Sequence, residues 1–193
     1  MYLILEGVDT AGKSTQLELL KTTFADACFT KEPGGTKLGI KIREMILHNG
    51  VQSHKSELFL FLADRAEHYQ SIIKNHNVVI SDRGFISGIA YALANHRDLD
   101  LEFLLKLNMF ALDDNLPNFV VLLETNESLI RNRLQKKSQD MIEKRGISYL
   151  LKVQELMKKI LIKLEINHII IGASEDIDEI HQKIIKFIDK KDF

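Results

Sequence analysis

Three stretches of this chain carry side chains whose types and spacing suit work on phosphate esters. The first is Gly7-Val8-Asp9-Thr10-Ala11-Gly12-Lys13-Ser14, followed by Thr15. It satisfies the pattern G-x-x-x-x-G-K-[ST]. In that pattern glycines let the backbone curl, so that N–H groups point inward and meet the positive end of a helix dipole. Lys13 offers a mobile point charge to β- and γ-phosphate oxygens, and the Ser14 hydroxyl is a ligand for Mg²⁺. The competing reading is a glycine turn before an ordinary helix. Average residue frequencies produce the four-position match in under about one chain in a hundred of this size. The apolar run before the loop and the helical spacing after it lower that further. A nucleotide triphosphate with Mg²⁺, ATP in the first instance, is therefore the expected ligand. Hydrolysis, transfer and mere sensing remain open at this point. No guanine-reading N-K-x-D is present, and an ATPase motor would usually need more chain, so a small kinase fits best.

The second stretch is Asp82-Arg83, directly after the apolar run Val78-Val-Ile80. Asp82 could hold water around Mg²⁺, and Arg83 could grip a phosphate bidentately. Taken alone the dipeptide reads as a surface ion pair of little energetic worth; its place at the end of a buried strand favours the phosphate role. The third is Phe61 with Arg65 in Leu58-Phe-Leu-Phe-Leu-Ala-Asp-Arg65. Four residues apart, they share a helix face, and a ring that stacks a base could work beside a guanidinium that bonds a base carbonyl. A phenylalanine on a leucine-rich helix is more often plain core. Arg65, so close to an apolar run, needs a partner in any reading.

These residues must be carried by a frame. At 193 residues, 45% of them apolar and 27% charged, the chain is expected to form a single domain with a real core. A formal net charge of −1 supplies no global field for nucleic acid or an anionic membrane. No apolar run, Leu58 to Ala63 included, is long enough to span a bilayer, no signal peptide fits, and the expected address is the cytoplasm. The single cysteine, Cys28, is expected to be a small buried residue. Strands are predicted at Tyr2–Leu5, Cys28–Thr30, Val78–Ile80, Phe119–Leu123 and Ile169–Ile171. Helices are predicted over Lys13–Ala25, Leu38–Leu47, Ser56–Asn75 and Tyr149–Leu164, the last with Leu150, Val153, Leu156, Ile160 and Leu164 on one side, and after Ser174 with Ile177, Ile180, Ile184 and Ile188 buried. Thr125 is expected to cap a helix bearing Glu127 in its first turn. The alternation implies an α/β fold, a parallel sheet of about five strands with helices on both faces, and ligands at the carboxyl ends of the strands.

Taken together, these stretches resemble thymidylate kinase, a family of P-loop nucleoside monophosphate kinases, from the first strand to the last helix. The phosphate loop from Glu6 to Gln16 is close to the family's form. Thr30-Lys-Glu32-Pro33-Gly-Gly-Thr36 is similar to its T-R-E-P-G-G-T loop, and Ser56 to His68 to the helix lining the monophosphate site. Ile80-Ser-Asp-Arg83, Ser87-Gly-Ile-Ala-Tyr91 and Gly172-Ala-Ser174 have counterparts too. Asp140-Met-Ile-Glu143 resembles the end of the lid, which the resemblance places around 131–146. The resemblance implies transfer of the ATP γ-phosphoryl group to thymidine 5′-monophosphate (dTMP), with Mg²⁺, in a homodimer. It implies that Phe61 stacks on thymine, Arg65 bonds its carbonyl, and Tyr91 excludes a ribose 2′-hydroxyl by bulk. It sets Asp9 beside the acceptor, and Arg83, Glu32, Pro33 and Ser87 in the monophosphate site.

Four positions depart from the family pattern. Lys31 replaces an arginine and loses its planar fork. Gly84 replaces an aromatic residue and Met141 a basic one. Thr10 leaves the phosphate loop without the arginine found in some members, so a transition-state cation is expected from the lid: Arg131, Arg133, Lys136 or Lys137. For at least two of these four the ordinary reading is a solvated helix face. Two alternatives stand beside this reading: another small kinase acting on a different nucleotide or nucleoside, and a nucleotide-binding regulatory module without turnover. The Glu32-Pro-Gly-Gly35 loop speaks against adenylate- and shikimate-type kinases. Because the acceptor is already an anionic phosphate, none of the seven histidines is assigned to catalysis.

Overall fold

The computed structural model describes residues 1–96, 98–135 and 140–189. The five strands are β1 (Tyr2–Glu6), β2 (Cys28–Lys31), β3 (Val79–Asp82), β4 (Phe119–Glu124) and β5 (His168–Gly172). They form one parallel sheet in the order β2-β3-β1-β4-β5. The helices are α1 (Lys13–Thr23), α2 (Lys37–Glu44), α3 (His54–Ser71), α4 (Phe85–Asn95), α5 (Leu101–Ala111), α6 (Glu127–Leu134), α7 (Ile147–Lys163) and α8 (Ile177–Asp189).

Successive side chains on a strand face opposite ways. Leu3 and Leu5 join Val121, Leu123 and the apolar faces of α1 and α8. Tyr2 and Ile4 join Val120, Leu122 and α3, α4 and α7. With both faces of β1 covered, an uninterrupted apolar run is what the position demands. The chain leaves β1 toward β2 on one side and β4 toward β5 on the other. The crevice where such a sheet binds its ligand therefore opens at the carboxyl ends of β1 and β4.

The structure differs from the sequence-based expectations where periodicity was silent or shared. No element was expected over 85–95, yet α4 lies there. Phe85, Ile86, Ile89, Ala90 and Tyr91 are all buried, and a helix covered all round has no amphipathic stripe to read. The predicted helix to Leu47 ends as an α-helix at Glu44 and continues as a wider π-turn over Met45–Asn49, stopped by Gly50 at φ 73°. In α7 Gln154, Met157 and Leu161 are buried, while Leu156 and Leu164 are only half-buried. Ile180, Ile184 and Ile188 are core, but Ile177 is 53% exposed in the first turn of α8, beside the phosphate loop's cleft. Cys28 is half-buried, and burial raises its thiol pKa.

The cap of α6 is Asn126 rather than Thr125. The Asn126 side chain accepts from Leu129 N at 2.9 Å, while the backbone N–H of Thr125 donates to Gln154. Replacing Asn126 by Ala should lower unfolding free energy by about 1 kcal/mol. Urea unfolding checks this, and an unchanged midpoint would mean the cap contributes nothing.

Candidate active site

β1 runs straight into the phosphate loop. Gly7 has φ 144°, and a Cβ there would lie 2.7 Å from Leu123 O, so only glycine fits. Gly12, at φ 99°, precedes α1 in left-handed geometry. The first amides of α1 then lack intrahelical partners, the arrangement that suits an anion at a helix N-terminus. Lys13 folds back over the loop, donating to Gly7 O (3.0 Å) and Val8 O (3.2 Å), with Asp82 Oδ1 at 3.9 Å. Burial, then the charge of Arg83, draws its pKa below the ordinary lysine value. Asp9, Thr10, Ala11, Gly12, Lys13, Ser14 and Thr15 line a cleft of about 540 Å³. Gly7 and Val8 underlie it, Val8 as fully buried core.

Arg83 sits at φ 69°, a left-handed conformation that non-glycine residues rarely adopt. Its guanidinium donates to Gly7 O (2.6 Å), Ser87 Oγ (3.3 Å) and Asp9 Oδ1 (2.9 Å). Burial opposes its charge, but Asp9, Tyr91, Asp82 and Glu6 together push its pKa up.

A second, narrower cavity of about 40 Å³ is lined by Pro33, Phe61, Arg65, Ser87 and Tyr91, with Asp140 and Ile142 across from them. Arg65 finds its partners in Glu32 (2.7 Å) and Asn108 (2.6 Å), leaving a buried Nε without a hydrogen-bond acceptor among the described residues. Glu32 also accepts from His68 Nδ1 at 2.8 Å. Burial works against its charge, yet Arg65 and His68 hold its pKa below the usual carboxylate value. Asp64, which accepts from Gly34 N, is pushed up to about 6 by burial and then by the charge of Glu32. The Tyr91 hydroxyl is buried, which raises its pKa. The hydroxyl of Ser87 is fully engaged, accepting from Arg83 and donating to Glu6.

Asp9, Glu32, Arg43 and Arg83 line both cavities and form their common wall. Arg43 escaped sequence reading because Leu38–Leu47 showed only an apolar pattern; it donates to Pro33 O at 2.9 Å. Ser14 and Asp82 both border the cleft, and Asp82 Oδ1 is buried without a hydrogen-bond donor among the described residues, which suits a cation held there. Carboxylate oxygens of Asp9, Asp140 and Glu143 form a further group within 4.8 Å of one another.

Of the cations expected from the lid, Arg133 reaches the cleft, donating to Thr10 O (2.5 Å) and Ala173 O (3.3 Å). Arg131 is not brought there. It pairs with Glu127 at 2.5 Å on the solvent side of α6, because residues two apart on a helix diverge by about 200°. Lys136 and Lys137 lie outside the described residues.

Fold and site together define a P-loop nucleotide kinase. Residues 5–184 match the family model for thymidylate kinase. A thymidylate kinase of Sulfurovum sp. is 48% identical over 97% of this chain and 99% of its own. One of Campylobacter concisus is 49% identical over 99% and 100%. The crystal structure of thymidylate kinase from Ehrlichia chaffeensis superposes with a TM-score of 0.77 at 25% identity, covering 97% of this chain and 98% of that one. The chain belongs to the thymidylate kinase family.

Glu6, buried at the end of β1, has its pKa raised to about 7 by burial, with the Ser87 hydroxyl and Arg83 opposing. An acid raised on folding stabilises most below its unfolded value and loses that contribution as pH rises through the folded one. Between pH 5 and pH 8 the wild type should therefore lose about 2 kcal/mol relative to Glu6→Gln. Urea unfolding of both proteins across that range tests this; parallel curves would show that Glu6 does not titrate there.

Proposed function

We propose that the chain transfers the γ-phosphoryl group of ATP to dTMP, giving dTDP. The observation that carries this reading is the common wall: a phosphate-loop cleft and a narrow cavity lined by Phe61 and Tyr91 meet at Asp9, Glu32, Arg43 and Arg83. Donor phosphates on the loop and an acceptor phosphate beside Arg83 would then face one another across that wall.

Phosphoryl transfer asks a protein mainly for alignment and charge stabilisation. Gly7 to Thr15 cradle the ATP phosphates. Lys13 swings from the loop carbonyls to the β- and γ-oxygens, where its charge serves the transition state. Ser14 and Asp82 hold Mg²⁺, which when bound neutralises charge on the donor phosphates. Phe61 stacks on thymine, Arg65 turns its unused Nε–H toward a base carbonyl, and Tyr91 closes the sugar edge. Glu32 and Pro33 wall the monophosphate site and Asp9 sits beside the acceptor. Arg133 is the lid-side cation supported by position; Arg131 is set aside. As it stands the second cavity holds little more than a water molecule. Admission of dTMP therefore requires its outer wall, Asp140 and Ile142, to move, which suits a lid around 131–146 within one kinase domain.

A homodimer through α3 and α5 fits the same reading. Phe59 is 61% exposed and Phe110 86%, on neighbouring helices, and together with Leu62, Ala66 and Tyr69 they border an apolar groove. Among the described residues no helix is long and apolar enough to cross a membrane, and the cytoplasm is the compartment that suits such an enzyme.

An ADP-release assay with ATP, Mg²⁺ and a panel of nucleoside monophosphates should show turnover with dTMP. Lys13→Ala should then lose on the order of 3 kcal/mol of transition-state stabilisation. Turnover only with another acceptor, or near-normal turnover by folded Lys13→Ala, would overturn the assignment. For the assembly, Phe110→Glu should shift the sedimentation of the protein from dimer to monomer. A wild type that sediments as a monomer would rule the dimer out.

A further inference from the structure

The mechanism above makes no use of Glu6, yet this carboxylate is fully buried at the junction of both phosphate-handling segments. α4 begins after Gly84, which has no side chain to cap it. The cap comes instead from another strand. Glu6 Oε1 accepts from Gly84 N (3.1 Å) and Ser87 N (3.1 Å), and Oε2 accepts from Ser87 Oγ. Ser87 Oγ in turn accepts from Arg83, which donates to the carbonyl of Gly7, the residue after Glu6. A closed circuit thus runs from the end of β1 through α4 and Arg83 back to the phosphate loop.

A buried carboxylate is an expensive cap, since a short local side chain would satisfy the same amides at the surface. What the long-range version adds is control of the neighbouring turn. Arg83 holds its left-handed backbone only where its surroundings over-determine it. Arg83 N is bonded to Leu5 O (2.8 Å), its carbonyl accepts from Ser81 Oγ (2.8 Å), and the next amide is the one Glu6 captures.

We propose that Glu6 is a positioning residue for the acceptor phosphate: its carboxylate fixes the Arg83 turn and the start of α4, and so aims the Arg83 guanidinium at the wall shared by the two cavities. This rests on the dTMP kinase reading for its kinetic consequences, though not for its structural one. The charged and titratable groups facing Glu6 are Arg83 from the turn, Lys13 from α1 and Tyr2 from β1. Its hydrogen-bond partners Gly84 N, Ser87 N and Ser87 Oγ all donate, so the ionised form is the one that serves them.

The test compares wild type, Glu6→Gln and Glu6→Asp. A glutamine presents an NH₂ to a pocket of donors and leaves one of them unpaired. It should lower kcat/KM for dTMP by about 10- to 100-fold, chiefly through KM for dTMP, with KM for ATP little changed. Aspartate should recover part of the loss. The ratio of wild-type to Glu6→Gln kcat/KM should shrink as pH falls below 7, because protonated Glu6 loses its advantage while the titration of dTMP cancels. Loss in kcat alone, or a ratio independent of pH, would overturn the proposal. If Glu6→Gln does not fold, Ser87→Ala keeps the carboxylate and its amide donors but cuts the link to Arg83. It should raise KM for dTMP by a smaller factor, and an unchanged KM would likewise overturn the proposal. Hydrogen exchange separates this from the function: Gly84 and Ser87 amides should lose protection in Glu6→Gln. Retained protection refutes the positioning role, whereas lost protection in a protein whose wild type does not phosphorylate dTMP refutes only the kinase reading.

Discussion

The guanidinium of Arg83 ties the end of β3 to the phosphate loop, and the geometry of the site follows from that one half-buried charge. Its bonds to Gly7 O and Asp9 fix the distance between the second strand loop and the first. The left-handed backbone that allows this costs about 1–3 kcal/mol in an ordinary residue. A cation drawn partly out of water needs its charge answered, and Asp9 answers it directly while Asp82 and Glu6 add to the field. Arg83 faces both cavities. In the proposed reaction one charged group would therefore serve donor and acceptor sides alike, and two phosphates that repel one another in water would meet at a cation already in place.

A second polar network shapes the opposite wall. Asp64, Arg65 and His68 all lie on α3 and all reach back to the turn that follows β2. Asp64 takes the amide of Gly34, Arg65 pairs with Glu32, and His68 joins Glu32 to Thr30 Oγ1 at 2.7 Å. Two glycines beside these side chains, Gly35 in that turn and Gly39 in the first turn of α2, are required by them. A Cβ on Gly35 would lie 2.8 Å from His68 Cδ2, and one on Gly39 would collide with the Asp64 carboxylate. These bonds tie α3 to the turn after β2 and hold Arg65 against Glu32.

The departures from the family pattern have structural counterparts in part. A Cβ at Gly84 would meet both Ile4 Cδ1 and Cγ2 at 3.1 Å, with Tyr2 Oη 3.6 Å away, so in this backbone β1 already fills the room an aromatic residue would take. Thr10 carries no charge, but its carbonyl receives Arg133 from α6, and a cation reaches the rim of the loop by that route. Met141 is anchored through its backbone, donating to Leu47 O at 3.1 Å. Nothing in the structure explains lysine rather than arginine at Lys31.

The sequence by itself determined what depends on local pattern. The phosphate loop is legible because glycine, lysine and serine at fixed spacing between a strand and a helix have one common use. The inner strands of the sheet are legible because a strand covered on both faces reads as an apolar run, and Glu32-Pro-Gly-Gly35 is legible by its resemblance to a family motif. Pairings across the fold were decided only by tertiary structure, because a hydrogen bond spanning 81 positions, as between Glu6 and Ser87, leaves no local periodicity. That is why the cap that Glu6 supplies is not legible in the sequence, why α4, buried on every side, shows no stripe there, and why the sequence does not separate Arg131 from Arg133. Side chains two residues apart look alike in sequence, and only the packing of α6 against α7 sends one to the cleft and the other to water.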